Sequence, residues 1–108
     1  MTQTVPAPIA TFFAGSNFHD TDAALAAFGD NAVVIEEGQT FSGLPAIRTW
    51  MDAVSAKYGV TATVTDVNQI GPVHHVEAMV TGNFPGSPAV LHFDFTLADE
   101  RIAKLSIG

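Results

Sequence analysis

At Gly59 the apolar period of this chain changes from helical to alternating, and that switch leaves few architectures open. Upstream, Pro45 is followed by Ile47, Trp50, Met51, Val54 and Tyr58 at spacings of three and four, which predicts an amphipathic helix opening on a proline and ending at the glycine. Downstream, Val60 to Ile70, Val73 to Thr81, Ala89 to Leu97 and Arg101 to Ile107 are β-branched or alternating, with turn residues between them. Before the long helix, residues 6–16 carry Ile9, Phe12 and Phe13 at helical spacing. Residues 23–28 read as a second short helix, capped by Asp20-Thr21-Asp22 and stopped at Gly29. A strand from Ala32 to Glu37 broken by Gly38, and a shorter one from Thr40 to Ser42, complete the set. Helices followed by a run of antiparallel strands predict an α+β fold, a curved sheet wrapped around helices, over one domain spanning 1–108.

Composition narrows what such a domain binds. Apolar residues make up 47% of the chain and charged residues 14%, more apolar side chain than one small core consumes, so the surplus is expected to line a cavity, an interface or both. Eleven acidic residues outweigh four scattered basic ones for a formal charge of -7, a surface that repels phosphate backbones and anionic membranes. The expected partner is a small neutral or apolar molecule, with no nucleic acid and no membrane. Without cysteine there is neither a disulfide framework nor a thiolate metal site. The chain has no apolar run of roughly 18 to 20 residues and no basic, apolar leader at MTQTVPAPIA, so the expected location is cytoplasmic.

The stretch AVVIEEGQTFSGLPAIRTW, residues 32–50, holds the candidate chemistry. A strand that ends in two carboxylates at the mouth of an apolar cavity offers a general base, because desolvation disfavours the ionised form of a group so placed. Glu36 is the first candidate and Glu37 the alternate; a slip of one residue exchanges their faces. His74, His75 and Glu77 do not form one ligand set, since alternation separates His74 from the other two, and the remaining histidines, His19 and His92, belong to other elements. No metal is expected. His92 and Asp94 share a strand face opposite Leu91, Phe93 and Phe95. Either the phenylalanines face the interior and His92 points outward, or the register is reversed and His92 becomes an acid or donor near Glu36. The first arrangement buries more apolar area. Phe12, Phe13, Phe28, Trp50 and Met51, with Met79, Leu91, Phe93 and Phe95, are the expected core and pocket walls. No phosphate loop, dinucleotide fingerprint or nucleophile with its base is present, and no cofactor is expected.

The aspartate-bearing segment DTDAALAAFGDNAVV, the turn and helix FSGLPAIRTW and the strand pair GNFPGSPAVLHFDFTLADERIAKLSI, in that order, resemble the nuclear-transport-factor-2-like superfamily of SnoaL-like cyclases, ketosteroid isomerases and limonene epoxide hydrolases. The resemblance implies a cone-shaped, strongly curved antiparallel (mixed) sheet closed by about three helices, a pocket inside the cone and a homodimer through the outer sheet face. It also places Glu36 at the position of the isomerases' general base. The isomerases' two oxyanion donors fall on Phe12 and Leu91, which donate nothing, so the resemblance implies an isomerase- or cyclase-like protein rather than a steroid isomerase. A non-catalytic binding or dimeric interaction module of the same fold is the alternative. The epoxide hydrolases' Asp-Arg-Asp set has no matching placement of Arg48 or Arg101.

Overall fold

The computed structural model describes residues 5–108. Helix α1 (Ala7–Asn17) and the short α2 (Thr21–Leu25) lead into strands β1 (Phe28–Glu36) and β2 (Gln39–Ser42), then helix α3 (Leu44–Tyr58) and strands β3 (Thr61–Ile70), β4 (Val73–Thr81), β5 (Ala89–Ala98) and β6 (Arg101–Ile107). Among the described residues the strands form one mixed six-stranded sheet in the order β2-β1-β6-β5-β4-β3, in which only the β1–β6 pair is parallel. Among the described residues no helix is long and apolar enough to cross a membrane.

Local chemistry sets most element ends. The Asp20 carboxylate accepts from the Ala23 N–H and caps α2. Gly59 ends α3 in the left-handed region at φ 56°. Two expectations need correction. The second helix stops at Leu25, and β1 begins at Phe28 rather than Ala32, because Phe28 pairs with Ile102 and is 1% exposed; burial of that ring overrides the helical preference of AALAAF. The first strand ends at Glu36, not Glu37: Glu37 and Gly38, at φ 52° and 75°, form the two-residue turn between β1 and β2.

The concave face of the sheet is filled with aromatic rings. Phe12 meets Phe13, Phe28 and Phe95 edge to face at centroid distances of 5.1, 5.7 and 5.7 Å, while Phe13 meets Phe93 at 5.2 Å. Val34, Val76, Ala78, Ile102 and Leu105 line the sheet side of this core; Ile9, Ile47, Trp50 and Met51 close it from the helices. Much of the apolar surplus expected to line a cavity is therefore spent in packing. A small space of about 30 Å³ remains between α1, α2 and α3, room for little more than a water molecule.

Two contacts fix α1, one to the sheet and one to α2. The Asn17 side chain donates to the Ala62 carbonyl at 2.9 Å and accepts from the Ala62 N–H at 2.8 Å, joining the end of α1 to β3. Gly15 lets α1 approach α2 so closely that a Cβ there would stand 2.5 Å from the Ala24 nitrogen. Alanine normally stabilises a helix relative to glycine by about 1 kcal/mol. Gly15→Ala is nevertheless expected to lower stability by about 1–3 kcal/mol, because backbone must move; urea unfolding followed by circular dichroism measures it.

Candidate functional site

Along the last part of β1 the side chains of Ala32, Val34 and Glu36 alternate onto the inner face, so the strand that supplies apolar wall also delivers a carboxylate at its end. The turn at Glu37-Gly38 and strand β2 then return the chain to Gly43, whose N–H donates to the Ala32 carbonyl at 2.9 Å and whose own carbonyl accepts from Ile47. That anchors the first turn of α3 beside β1. Trp50, two turns into α3, consequently reaches back, and its indole Nε1–H donates to Glu36 Oε1 at 2.9 Å in a part-buried setting. Phe41 of β2 lies against the Trp50 ring at a centroid distance of 6.0 Å. Among the described residues Oε1 is held and Oε2 accepts from no donor, a carboxylate fixed in orientation with one oxygen still able to take a proton.

The other expected site residues distribute around this point. Glu37 is exposed in the turn and does not share the inner face with Glu36. Phe12, Trp50 and Met51 border the small space between the helices, and Phe28 borders an open hollow beside Leu44, Arg48 and Arg101. Phe13, Phe93 and Phe95 are core, with Leu91 half-buried at its margin. Met79 is corrected: it pairs with Val90 on the outer face, one residue out of step with the inward Ala78 and Val80. His92 also lies on the outer face, exposed, opposite Glu77, and so stands on the other side of the sheet from Glu36.

Sequence reasoning missed three groupings. His19 Nδ1 and Ser55 Oγ are 2.9 Å apart at the edge of the small space, where His19 holds φ 56° in the turn after α1; no spacing signal links these two positions. Arg48 bonds Asp22 at 2.5 Å, a hydrogen bond that holds the guanidinium above its ordinary pKa. The β4–β5 register also brings His92 beside His75, with His75 Nε2 and His92 Nδ1 3.1 Å apart, His75 Nδ1 2.5 Å from Asp94 Oδ1, and His92 Nδ1 3.6 Å from Glu77 Oε1.

A mixed, curled six-stranded sheet covered by helices on its inner face, with a part-buried carboxylate at the end of the strand next to its edge, defines an α+β roll. No protein-family model matches this chain, and no curated protein matches it in sequence. Solved structures do. A protein from Sinorhizobium meliloti provisionally assigned as a polyketide cyclase is 36% identical, with 96% of this chain and 95% of that chain covered and a TM-score of 0.93. A protein of ketosteroid isomerase-like fold from Catenulispora acidiphila, crystallised with trimethylamine, is 20% identical over 97% of this chain and 86% of that one, at a TM-score of 0.84. An epoxide hydrolase-like protein from M. tuberculosis is 17% identical over 94% and 79%, at a TM-score of 0.78. The chain belongs to the nuclear-transport-factor-2-like, SnoaL-like superfamily.

Trp50 is the single tryptophan, so its emission reports on the carboxylate it touches. Glu36→Ala is expected to change that emission and to cost about 1–3 kcal/mol, the range for leaving a buried donor, here the Trp50 N–H, without its partner. Fluorescence spectra and a denaturant titration of the same samples check both.

Proposed function

We propose that this chain is a small-molecule enzyme of the isomerase or cyclase kind, in which Glu36 is the general base. The observation that carries this reading is the Glu36 carboxylate itself, part-buried, on the inner face, and held through one oxygen by Trp50. In the reaction envisaged, Glu36 Oε2 removes a proton from a carbon next to a carbonyl, and the electron pair of that C–H bond passes into the enolate. Return of the proton to a different carbon completes an isomerisation; attack of the enolate carbon on a carbonyl within the same molecule, whose π electrons pass to its oxygen and take the proton back from Glu36, completes a ring closure, and neither needs a cofactor. Trp50 is a positioning residue, since it acts only through Glu36. Phe12, 3% exposed among rings, and Leu91 offer no hydrogen bond to the enolate oxygen, which argues against steroid isomerisation.

A second reading, a binding module without turnover, is favoured by the ring-filled interior. The two divide on one measurement, deuterium uptake by a small enolisable ketone such as cyclohexanone in D₂O, followed by proton NMR. The enzyme reading expects wild-type protein to accelerate exchange and Glu36→Gln to lose about 10²–10⁴-fold of that acceleration. Exchange that is no faster than buffer, or is undiminished by the substitution, leaves the binding module.

Pairing of two copies through the outer sheet face belongs to the same proposal. Exposed Ile70 and Val90 on that face support it. Light scattering is expected to give twice the 11.3 kDa chain mass, and Val90→Glu to return the monomer.

A further inference from the structure

We infer that the outer face of β4 and β5 is a binding site for a divalent transition-metal ion, with His75, Glu77 and His92 as ligands and Asp94 orienting His75. The placement follows from register alone. His75 and Glu77 are two residues apart on β4 and so share a face, while antiparallel pairing sets Asp94 opposite His75 and His92 opposite Glu77. Four short-range donors thus occupy the corners of one cross-strand square.

Their atoms converge as ligands do. One atom from each of His75, Glu77 and His92 lies within 4.8 Å of the others. Around an ion bound at about 2.0–2.1 Å, neighbouring ligand atoms stand about 3.0–3.4 Å apart. The His75 Nε2 to His92 Nδ1 separation of 3.1 Å already falls there, and the 3.6 Å from His92 Nδ1 to Glu77 Oε1 is close to it.

The hydrogen-bond network prepares the nitrogens. When His75 Nδ1–H donates to the Asp94 carboxylate, its Nε2 carries the lone pair and faces His92. A carboxylate behind a ligating histidine is the usual means of fixing its tautomer and ring orientation. In the metal-free neutral pair, His92 Nδ1–H donates to His75 Nε2. An ion entering between them takes both lone pairs: the Nδ1 proton moves to Nε2 of His92, or leaves to solvent if that ring was already doubly protonated.

Charge and access agree with this geometry. Asp66 pairs with Glu77 from the far side on β3, so three carboxylates surround the two imidazoles, while Lys104 sits one row away, opposite Thr96. The His75, Glu77, Asp94 and His92 side chains are 31%, 37%, 46% and 47% exposed, enough for an ion to enter and for water to fill its remaining positions. Two imidazoles and a carboxylate suit zinc, nickel, cobalt or copper better than calcium or magnesium, which prefer oxygen alone. All three ligands come from one chain, so the site needs neither Glu36 nor a second copy; it shares the outer face with Val90, where pairing would cover it, and zinc uptake is therefore read at a protein concentration at which light scattering gives a single chain mass.

The test is calorimetric titration of the full, untagged chain with Zn²⁺, and separately with Ca²⁺, after treatment with a chelator. One zinc per chain, little or no calcium uptake, and a melting temperature that rises with zinc concentration are expected. His75→Ala and His92→Ala should each weaken zinc binding at least 10-fold, and Asp94→Asn by about 10–100-fold. His74→Ala, on the opposite face, should bind as the wild type does. If a variant loses its fold by circular dichroism, the wild-type Co²⁺ spectrum decides: visible bands that collapse when zinc is added support the site, and their absence counts against it. Zinc uptake by a folded His75→Ala/His92→Ala double variant equal to that of the wild type would overturn the proposal.

Discussion

The contact between Phe12 and Phe95, 5.7 Å apart and edge to face, joins the first helix to the middle of the sheet, and the geometry of the rest depends on it. Phe28 and Phe13 extend the same contact to β1 and, through Phe93, along β5. Rings of this size packed at right angles leave no freedom for the sheet to flatten, since close-packed interiors resist even small volume changes. The filled middle gives way at the margin to a polar contact, where β1 runs out in Glu36 and α3 presents Trp50.

Much of this architecture was legible in the residues. Pro45, the three-and-four spacing through Tyr58 and the terminating Gly59 mark α3 to within a residue, and Leu91, Phe93, Phe95 and Leu97 mark the inner face of β5. Local pattern reads local structure because both are set within a few residues. Other features were settled at longer range. The start of β1 depends on Phe28 reaching Ile102 across the parallel pair, more than seventy residues away. Which glutamate ends the strand depends on the turn, where the Gly38 backbone and Glu37 both adopt positive φ.

The site was legible in part for the same reason. Alternation from Ala32 marks Glu36 as a residue of the inner face once the turn is placed, but nothing in the spacing of Glu36 and Trp50 announces that they touch. The pairing of His92 with Glu77 depends on the length and path of the connection at 82–88, which sets the register between β4 and β5. Strand β5 therefore serves two unlike surroundings at once, Phe93 and Phe95 packed inside, His92 and Asp94 in water outside. A single-residue shift would exchange them, and the burial of the phenylalanines is what forbids it.

The two hydrogen bonds between the Asn17 carboxamide and the Ala62 backbone bear on a hazard common to all open sheets. β3 is an outermost strand, and a bare row of backbone donors and acceptors there would be a template on which a neighbouring molecule could add itself, one ribbon onto another. The carboxamide imitates a passing peptide group and occupies the place an intruding strand would need. The opposite margin, β2, is only four residues long and offers little to grip. At the start of β3 a borrowed amide thus does the guarding against fibre-like growth, and at the far border brevity does it.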